Sequence, residues 1–176
     1  FGGSSISKKG FNSVVKRIKE LLNNKQNKKI IVVFSAIKGV TNLLLKDNLK
    51  EALKLNLNLV KDLELKNDVI SKLNLISNNH KNKRELIAIG EILSTNIFNE
   101  YIKEHDIFDI ELLDSKKFIK SKTEYDNDND IYLSSEYYAD LSTFNKLISK
   151  KRVYICQGFI ACPLYTSPSP RDGLLS

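Results

Sequence analysis

The sequence predicts an α/β protein built on a mostly parallel sheet, and three observations carry that expectation. Ile30-Ile31-Val32-Val33-Phe34 is an unbroken β-branched and aromatic run, the pattern of a strand buried on both faces, as parallel strands are. It passes through Ser35, Ala36 and Gly39 into Val40-Thr41-Asn42-Leu43-Leu44-Leu45, so a buried strand ends in a tight loop that feeds a helix N-terminus. A helical pattern precedes the run, and strand–helix–strand order follows if Phe1 closes an earlier strand. In open α/β sheets, ligands sit at the carboxyl ends of strands, where unpaired N–H groups favour an anion. Ser35 and Thr41 put hydroxyls at that rim. A small turn residue and a plain N-cap account for the same two positions.

The chain has 176 residues, enough for one domain with a real core. It contains no apolar run long enough to span a bilayer and no signal-peptide pattern, which makes the cytoplasm the expected location. Cys156 and Cys162 are the two cysteines. They form no metal or disulfide framework and are expected as reduced thiols. The net charge is +7, but the lysines are scattered, with no dense basic block interleaved with aromatics. Nucleic-acid binding is therefore not the expected function.

Taken in order, Phe1-Gly2-Gly3-Ser4-Ser5 allows close backbone approach to a phosphate, although such stretches also make ordinary turns. The chain lacks an initiator methionine, so the natural start is expected upstream. Phe11, Val14, Val15, Ile18, Leu21 and Leu22 recur at helical spacing, with Ser7 as N-cap. Residues 47–80 carry leucines that fit either period two or a helix. The absence of Gly and Pro favours a helical hairpin, breaking near Lys66-Asn67-Asp68. Residues 82–104 predict a long helix with Leu86, Ile89, Leu93, Ile97 and Tyr101 on one side. Glu91 lies amid apolar neighbours and is expected to be solvent-facing or paired, because burying a lone carboxylate is costly. Gly90 beside it implies a close approach.

Ile107 to Leu113 reads as a strand. The alternating acids Asp126-Asn127-Asp128-Asn129-Asp130 invite a calcium loop, but Ile131 stands where glycine is required and Tyr137 where the closing glutamate belongs. A polar loop is expected instead. Ser135 to Lys150 reads as a helix with Tyr138, Leu141, Phe144 and Ile148 inward, capped by Ser134 or Ser135. Val153 to Ala161 is a strand broken at Gly158. Beyond Ala161 the composition changes: all three prolines, Pro163, Pro168 and Pro170, fall here. Residues 162–176 are expected to be a non-native or disordered tail, with a translated sequencing adapter favoured over a genuine tail.

Four blocks together resemble the aspartate kinases of the amino-acid-kinase family, over Phe1 to Ala161. Phe1-Gly2-Gly3-Ser4-Ser5 is similar to the family's opening Lys-Phe-Gly-Gly-Thr/Ser-Ser. Val32 to Ala36 with Gly39-Val40-Thr41-Asn42-Leu43-Leu44 resembles its second block. Gly90-Glu91-Ile92-Leu93-Ser94-Thr95 resembles its Gly-Glu-X-X-Ser block. Gln157-Gly158-Phe159-Ile160-Ala161 resembles the strand before its Gly-Arg-Gly-Gly-Ser-Asp loop. The resemblance implies a three-layer α/β/α sandwich with a mostly parallel central sheet. It implies that Ser35, Thr41, Glu91 and Phe159 line an aspartate pocket, with Glu91 on the substrate ammonium. It places Gly2, Gly3 and Ser4 near the ATP phosphates.

The reaction implied is transfer of the γ-phosphoryl of ATP, with Mg2+, to the side-chain carboxylate of L-aspartate. The carboxylate is already a nucleophile, so no base is required. The partners implied are L-aspartate and ATP, with no protein metal ligand, no nucleic acid, no membrane, and a homo-oligomer at full length. The family's lysine before Phe1 and every segment after Ala161, including the regulatory domains, are missing. A fragment cut at both ends is therefore expected, inactive as a kinase by itself and poorly soluble at its unpaired sheet edge. A bifunctional aspartokinase–homoserine dehydrogenase and a non-catalytic ligand-binding relative are the alternatives.

Overall fold

The computed structural model describes residues 1–24, 29–122, 136–158, 160–161 and 165–166. Its centre is a three-stranded parallel sheet of β1 (Ile30–Phe34), β2 (Ile110–Leu113) and β5 (Val153–Gln157), in the order β1-β5-β2. The last of the three strands in sequence is thus inserted between the first two. Val32 and Leu112 both stand opposite Ile155. Phe1 flanks the end of β1: the Ser35 N–H donates to the Phe1 carbonyl at 3.1 Å.

One face of the sheet carries α1 (Lys8–Asn23), α2 (Val40–Leu45), α3 (Leu49–Asp62), α4 (Asn67–Asn78) and α5 (Lys83–Glu104). Their starts follow the capping rules. Ser7 Oγ accepts from the Gly10 N–H, Asn48 Oδ1 from Glu51, and Asn82 Oδ1 from Glu85, each meeting one orphan donor of a first turn. The predicted hairpin of α3 and α4 is present, with its break at residues 63–66. Within this layer the core gathers Phe11, Phe34, Phe98 and Tyr101 around α5.

The opposite face is thinner. Leu113, Phe118, Tyr154 and Cys156 are buried there beneath Phe144, Leu147 and Ile148, the last two layers being the sheet and α6 (Leu141–Leu147). The architecture is the expected three-layer α/β/α sandwich. Two short antiparallel pairs complete the described chain: β3 (Ile119–Lys122) with β4 (Glu136–Ala139), and β6 (Ile160–Ala161) with β7 (Tyr165–Thr166).

Three expectations need correction. β1 is not buried on both faces: Ile31 and Val33 are 38% and 45% exposed, because α6 reaches over β5 and β2 and leaves the β1 edge open. The strand that fits the description is β5, buried at all five positions. The helix expected over Ser135–Lys150 is a strand followed by a short helix. Lys120 pairs with Tyr138 in the ladder, and Asp140, not Ser134 or Ser135, caps α6 through the Thr143 N–H at 3.0 Å. Tyr138 and Leu141 consequently face solvent, while Phe144 and Ile148 pack inward. The strand expected from Ile107 begins only at Ile110; a left-handed Asp106 and an Ile107 N–H bonded to the Ile102 carbonyl make the preceding residues the end of α5. The acidic stretch 126–130 lies outside the described residues, as does the 162–176 tail except for Tyr165 and Thr166.

Candidate functional site

The carboxyl ends of β1 and β5 meet α5, and the candidate site lies where they converge. β1 ends at the fully buried Phe34, whose carbonyl accepts from the Gly158 N–H at 2.7 Å. The loop Ser35–Gly39 then turns into α2. Gly39 has φ +87°, a left-handed conformation that glycine adopts without a Cβ penalty. It takes the N-cap position, so Thr41 stands in the first turn of α2 rather than capping it.

α5 presses against this loop through Gly90. A Cβ there would fall 2.9 Å from Val40 Cγ1 and 3.0 Å from Ala36 Cβ, so the close approach expected of Gly90 is made to α2 and its leading loop. The approach carries Glu91 inward. Glu91 is 6% exposed, and its carboxylate accepts the Ala36 backbone N–H. Its Oε2 is buried without a hydrogen-bond partner among the described residues. The expectation of a solvent-facing carboxylate is overturned, because tertiary packing of α5 closes the loop over it and, among the described residues, supplies one backbone donor and no cation. Loss of water drives the Glu91 carboxyl up to about 9, with the Ala36 N–H pulling weakly the other way. A buried acid held by a single N–H prefers its neutral form.

Hydroxyls stitch the surroundings together. Ser94 Oγ donates to the Ser35 carbonyl at 2.7 Å, tying the loop to α5 across 59 residues of sequence. Thr95 Oγ1 donates to the Glu91 carbonyl at 2.7 Å and receives the Gln157 side-chain amide at 3.5 Å. Gln157 Oε1 in turn accepts the Ser115 N–H at 3.0 Å, and Ser115 Oγ donates to the Gln157 carbonyl. The end of β5 is thereby clasped on both flanks, which sets Gly158 beside the carboxylate: a Cβ at Gly158 would lie 3.8 Å from Glu91 Oε2. Cys156 is buried on the other side of the strand end, and desolvation lifts its thiol to about 11. It is a packing residue, not a nucleophile, at ordinary pH.

Of the residues singled out in the sequence, Ser35, Thr41 and Glu91 come together around the Ser35–Gly39 loop. Phe159 lies outside the described residues. Gly2, Gly3 and Ser4 sit against the same loop: the Gly3 carbonyl accepts the Lys38 N–H at 3.1 Å, and a Cβ on Gly3 would fall 2.3 Å from the Ala36 carbonyl oxygen. Glycine at position 3 is thus required by the packing of turn on loop. Ser94 lay within a block already noted for Glu91, and its i+3 spacing from a candidate residue was the available signal. Ser115 carried none, since its partner is 42 residues away. Among the described residues, no group of His, Cys, Asp and Glu could hold a metal ion, and no helix is long and apolar enough to cross a membrane.

Comparison with known proteins agrees with the fold. The structure is similar to that of Escherichia coli aspartokinase III in complex with aspartate and ADP, with a TM-score of 0.59 and 20% identity, over 95% of this chain and 42% of that one. It is similar to the same enzyme in complex with lysine and aspartate, with a TM-score of 0.58 and 21% identity, over 98% and 43%. Clostridium acetobutylicum aspartate kinase gives a TM-score of 0.57 and 18% identity, over 97% and 41%. The chain therefore spans less than half the length of these proteins, and at such identities the likeness is one of fold. No curated protein matches the sequence. A family model, however, matches residues 1–168, nearly the whole chain, and the chain belongs to the amino acid kinase family.

Proposed function

We propose that this chain forms the acceptor half of an aspartate kinase, in which the γ-phosphoryl of Mg-ATP passes to the side-chain carboxylate of L-aspartate to give 4-phospho-L-aspartate. The observation that carries the reading is Glu91: a buried carboxylate at the carboxyl ends of parallel strands, with no cation of the protein's own among the described residues. An amino acid's ammonium is the ion such a group lacks. The Ser35 and Thr41 hydroxyls, with amides of the Ser35–Gly39 loop, would hold the carboxylates of the same ligand. The assignment to aspartate rests on the sequence blocks and on the aspartokinases that share the fold.

Gly2, Gly3 and Ser4 fit the nucleotide phosphates in kind, being small and at least partly exposed beside the acceptor loop. ATP with Mg2+ would supply the phosphoryl group and the charge that neutralises it. The chain's own residues act by position: the acceptor carboxylate needs no deprotonation, and catalysis consists of holding it in line. Glu91 anchors one end of the ligand, the hydroxyls orient the other, and the apolar wall of Gly90, Val40 and Ala36 excludes water.

The direct test is calorimetric titration with L-aspartate and with succinate, which lacks the ammonium. L-Aspartate is expected to bind and succinate to bind at least tenfold more weakly. Equal binding of the two removes Glu91 from ammonium recognition. Trapping the acyl phosphate with hydroxylamine, in the gene product that carries these residues, tests the reaction. A hydroxamate formed from another amino acid and not from aspartate would move the chain to another branch of its family.

A further inference from the structure

We propose that a ligand's ammonium, on binding at Glu91, drives the proton off the Glu91 carboxyl group, so that occupancy of this site is coupled to release of one proton. The inference rests on Glu91 as the ammonium's partner and goes further, to the state of the empty site. Among the described residues, the side chain is walled by groups without charge. α5 presents only apolar or hydroxyl residues from Ile87 to Thr95. α2 and β1 carry no ionisable residue, and the Ser35–Gly39 loop offers Lys38, which is exposed to solvent. β5 presents the Cys156 thiol, which burial keeps neutral, and the Phe1 amino group beyond it donates to the Val33 carbonyl at 2.6 Å. The turn after β2 contributes Ser115, whose bonds go to Gln157.

Among the described residues, Glu91 therefore has one backbone N–H to stabilise its anion and an Oε2 without a partner. Under those conditions the carboxyl group keeps its proton, and its ionisation is postponed to about pH 9. An ammonium at Oε2 supplies the missing opposite charge and favours the anion. At neutral pH the amino acid arrives already as an ammonium. The proton that leaves is then that of Glu91: its O–H bond breaks, the electron pair stays on the carboxylate oxygen, and the proton passes to buffer. Ligand affinity accordingly rises about tenfold per pH unit while the empty site is protonated and the filled site ionised. The rise ends as the pH reaches about 9.

The experiment is calorimetry of L-aspartate binding to the 176-residue chain at pH 7, in phosphate and in Tris, whose heats of ionisation differ. The expected result is a difference in apparent enthalpy equal to one buffer ionisation, absent in Glu91→Gln. Infrared difference spectra of the wild-type chain, which need no variant, should show loss of a protonated-carboxyl band on adding L-aspartate. Binding with equal heat in both buffers overturns the proton coupling while leaving Glu91 as the ammonium's partner. A buffer difference that persists in Glu91→Gln places the proton elsewhere and also overturns it. Absence of any L-aspartate binding overturns both this inference and the acceptor-site reading beneath it.

Discussion

The two halves of α5 are equally buried and differ in what burial does for them. In the C-terminal half, Phe98 stands 4.9 Å from Phe11 at 87° and 4.7 Å from Phe34, and Ile97 and Ile102 are fully enclosed. Tyr101 adds ring contacts and satisfies its hydroxyl on Asn12 at 2.7 Å. Every one of these contacts stabilises the fold. The N-terminal half also buries Leu86, Ile89 and Leu93, but it sets Gly90 and Glu91 among them, with Ser94 and Thr95 just beyond. The Ser94 and Thr95 hydroxyls are satisfied on backbone carbonyls, but among the described residues no other side chain satisfies the Glu91 carboxylate. One helix thus carries a stabilising end and a costly end. The cost falls where the strand ends converge, which is where a functional site is expected to depart from the rules that make a core.

Four substitutions probe that contrast. Phe98→Ala should cost about 3–5 kcal/mol in chemical denaturation, as removal of a fully buried aromatic does; a loss below about 1 kcal/mol would show that the aromatic end does not anchor the helix. Glu91→Gln should weaken L-aspartate binding by about 2–5 kcal/mol, the usual consequence of breaking a desolvated charge pair, and should do the opposite to stability. The folded Glu91 ionises near 9 against an ordinary 4.5. Its contribution to stability is therefore full below 4.5 and lost progressively as the pH rises toward 9. Wild-type melting temperature should fall across that window more steeply than that of Glu91→Gln, and parallel curves would refute the buried-acid description.

Gly90→Val tests the contact that brings the costly end into place. Its Cβ would meet Val40 and Ala36 at 3.0 Å or less, and overpacking of this kind typically costs about 1–3 kcal/mol. The expected sign is lower stability together with weaker L-aspartate binding, since α2 and the Ser35 loop must move; unchanged binding would separate the loop from the site. Ser94→Ala should have the smallest effect, about 0.5–1.5 kcal/mol for one hydrogen bond. Loosening of the Ser35 loop should make it visible in L-aspartate affinity and in amide exchange of residues 35–39. An effect confined to melting temperature would assign Ser94 to the core rather than to positioning.

The local pattern was enough to find most elements of this molecule. Helical spacing with Ser7 as cap located α1, the Gly- and Pro-free leucine segment located the α3–α4 hairpin, and the 82–104 pattern located α5, because period and capping depend on neighbours within a turn. The same local reading could single out Ser35, Gly90 and Glu91, since a glycine and a carboxylate are conspicuous in an apolar helix. It misplaced Tyr138 and Leu141, whose spacing suits a helix until β3 offers a ladder. It gave β1 the doubly buried role that belongs to β5, because the composition of a strand does not say which strands lie on either side of it. Only the packed chain decided that Ala36 would be the hydrogen-bond donor to Glu91, that Ser94 would hold Ser35, and that Ser115 would clasp Gln157 from 42 residues away. Those contacts join segments distant in sequence, and whether a polar group meets a donor, a cation or nothing is settled by which surfaces close over it, not by the residues on either side of it along the chain.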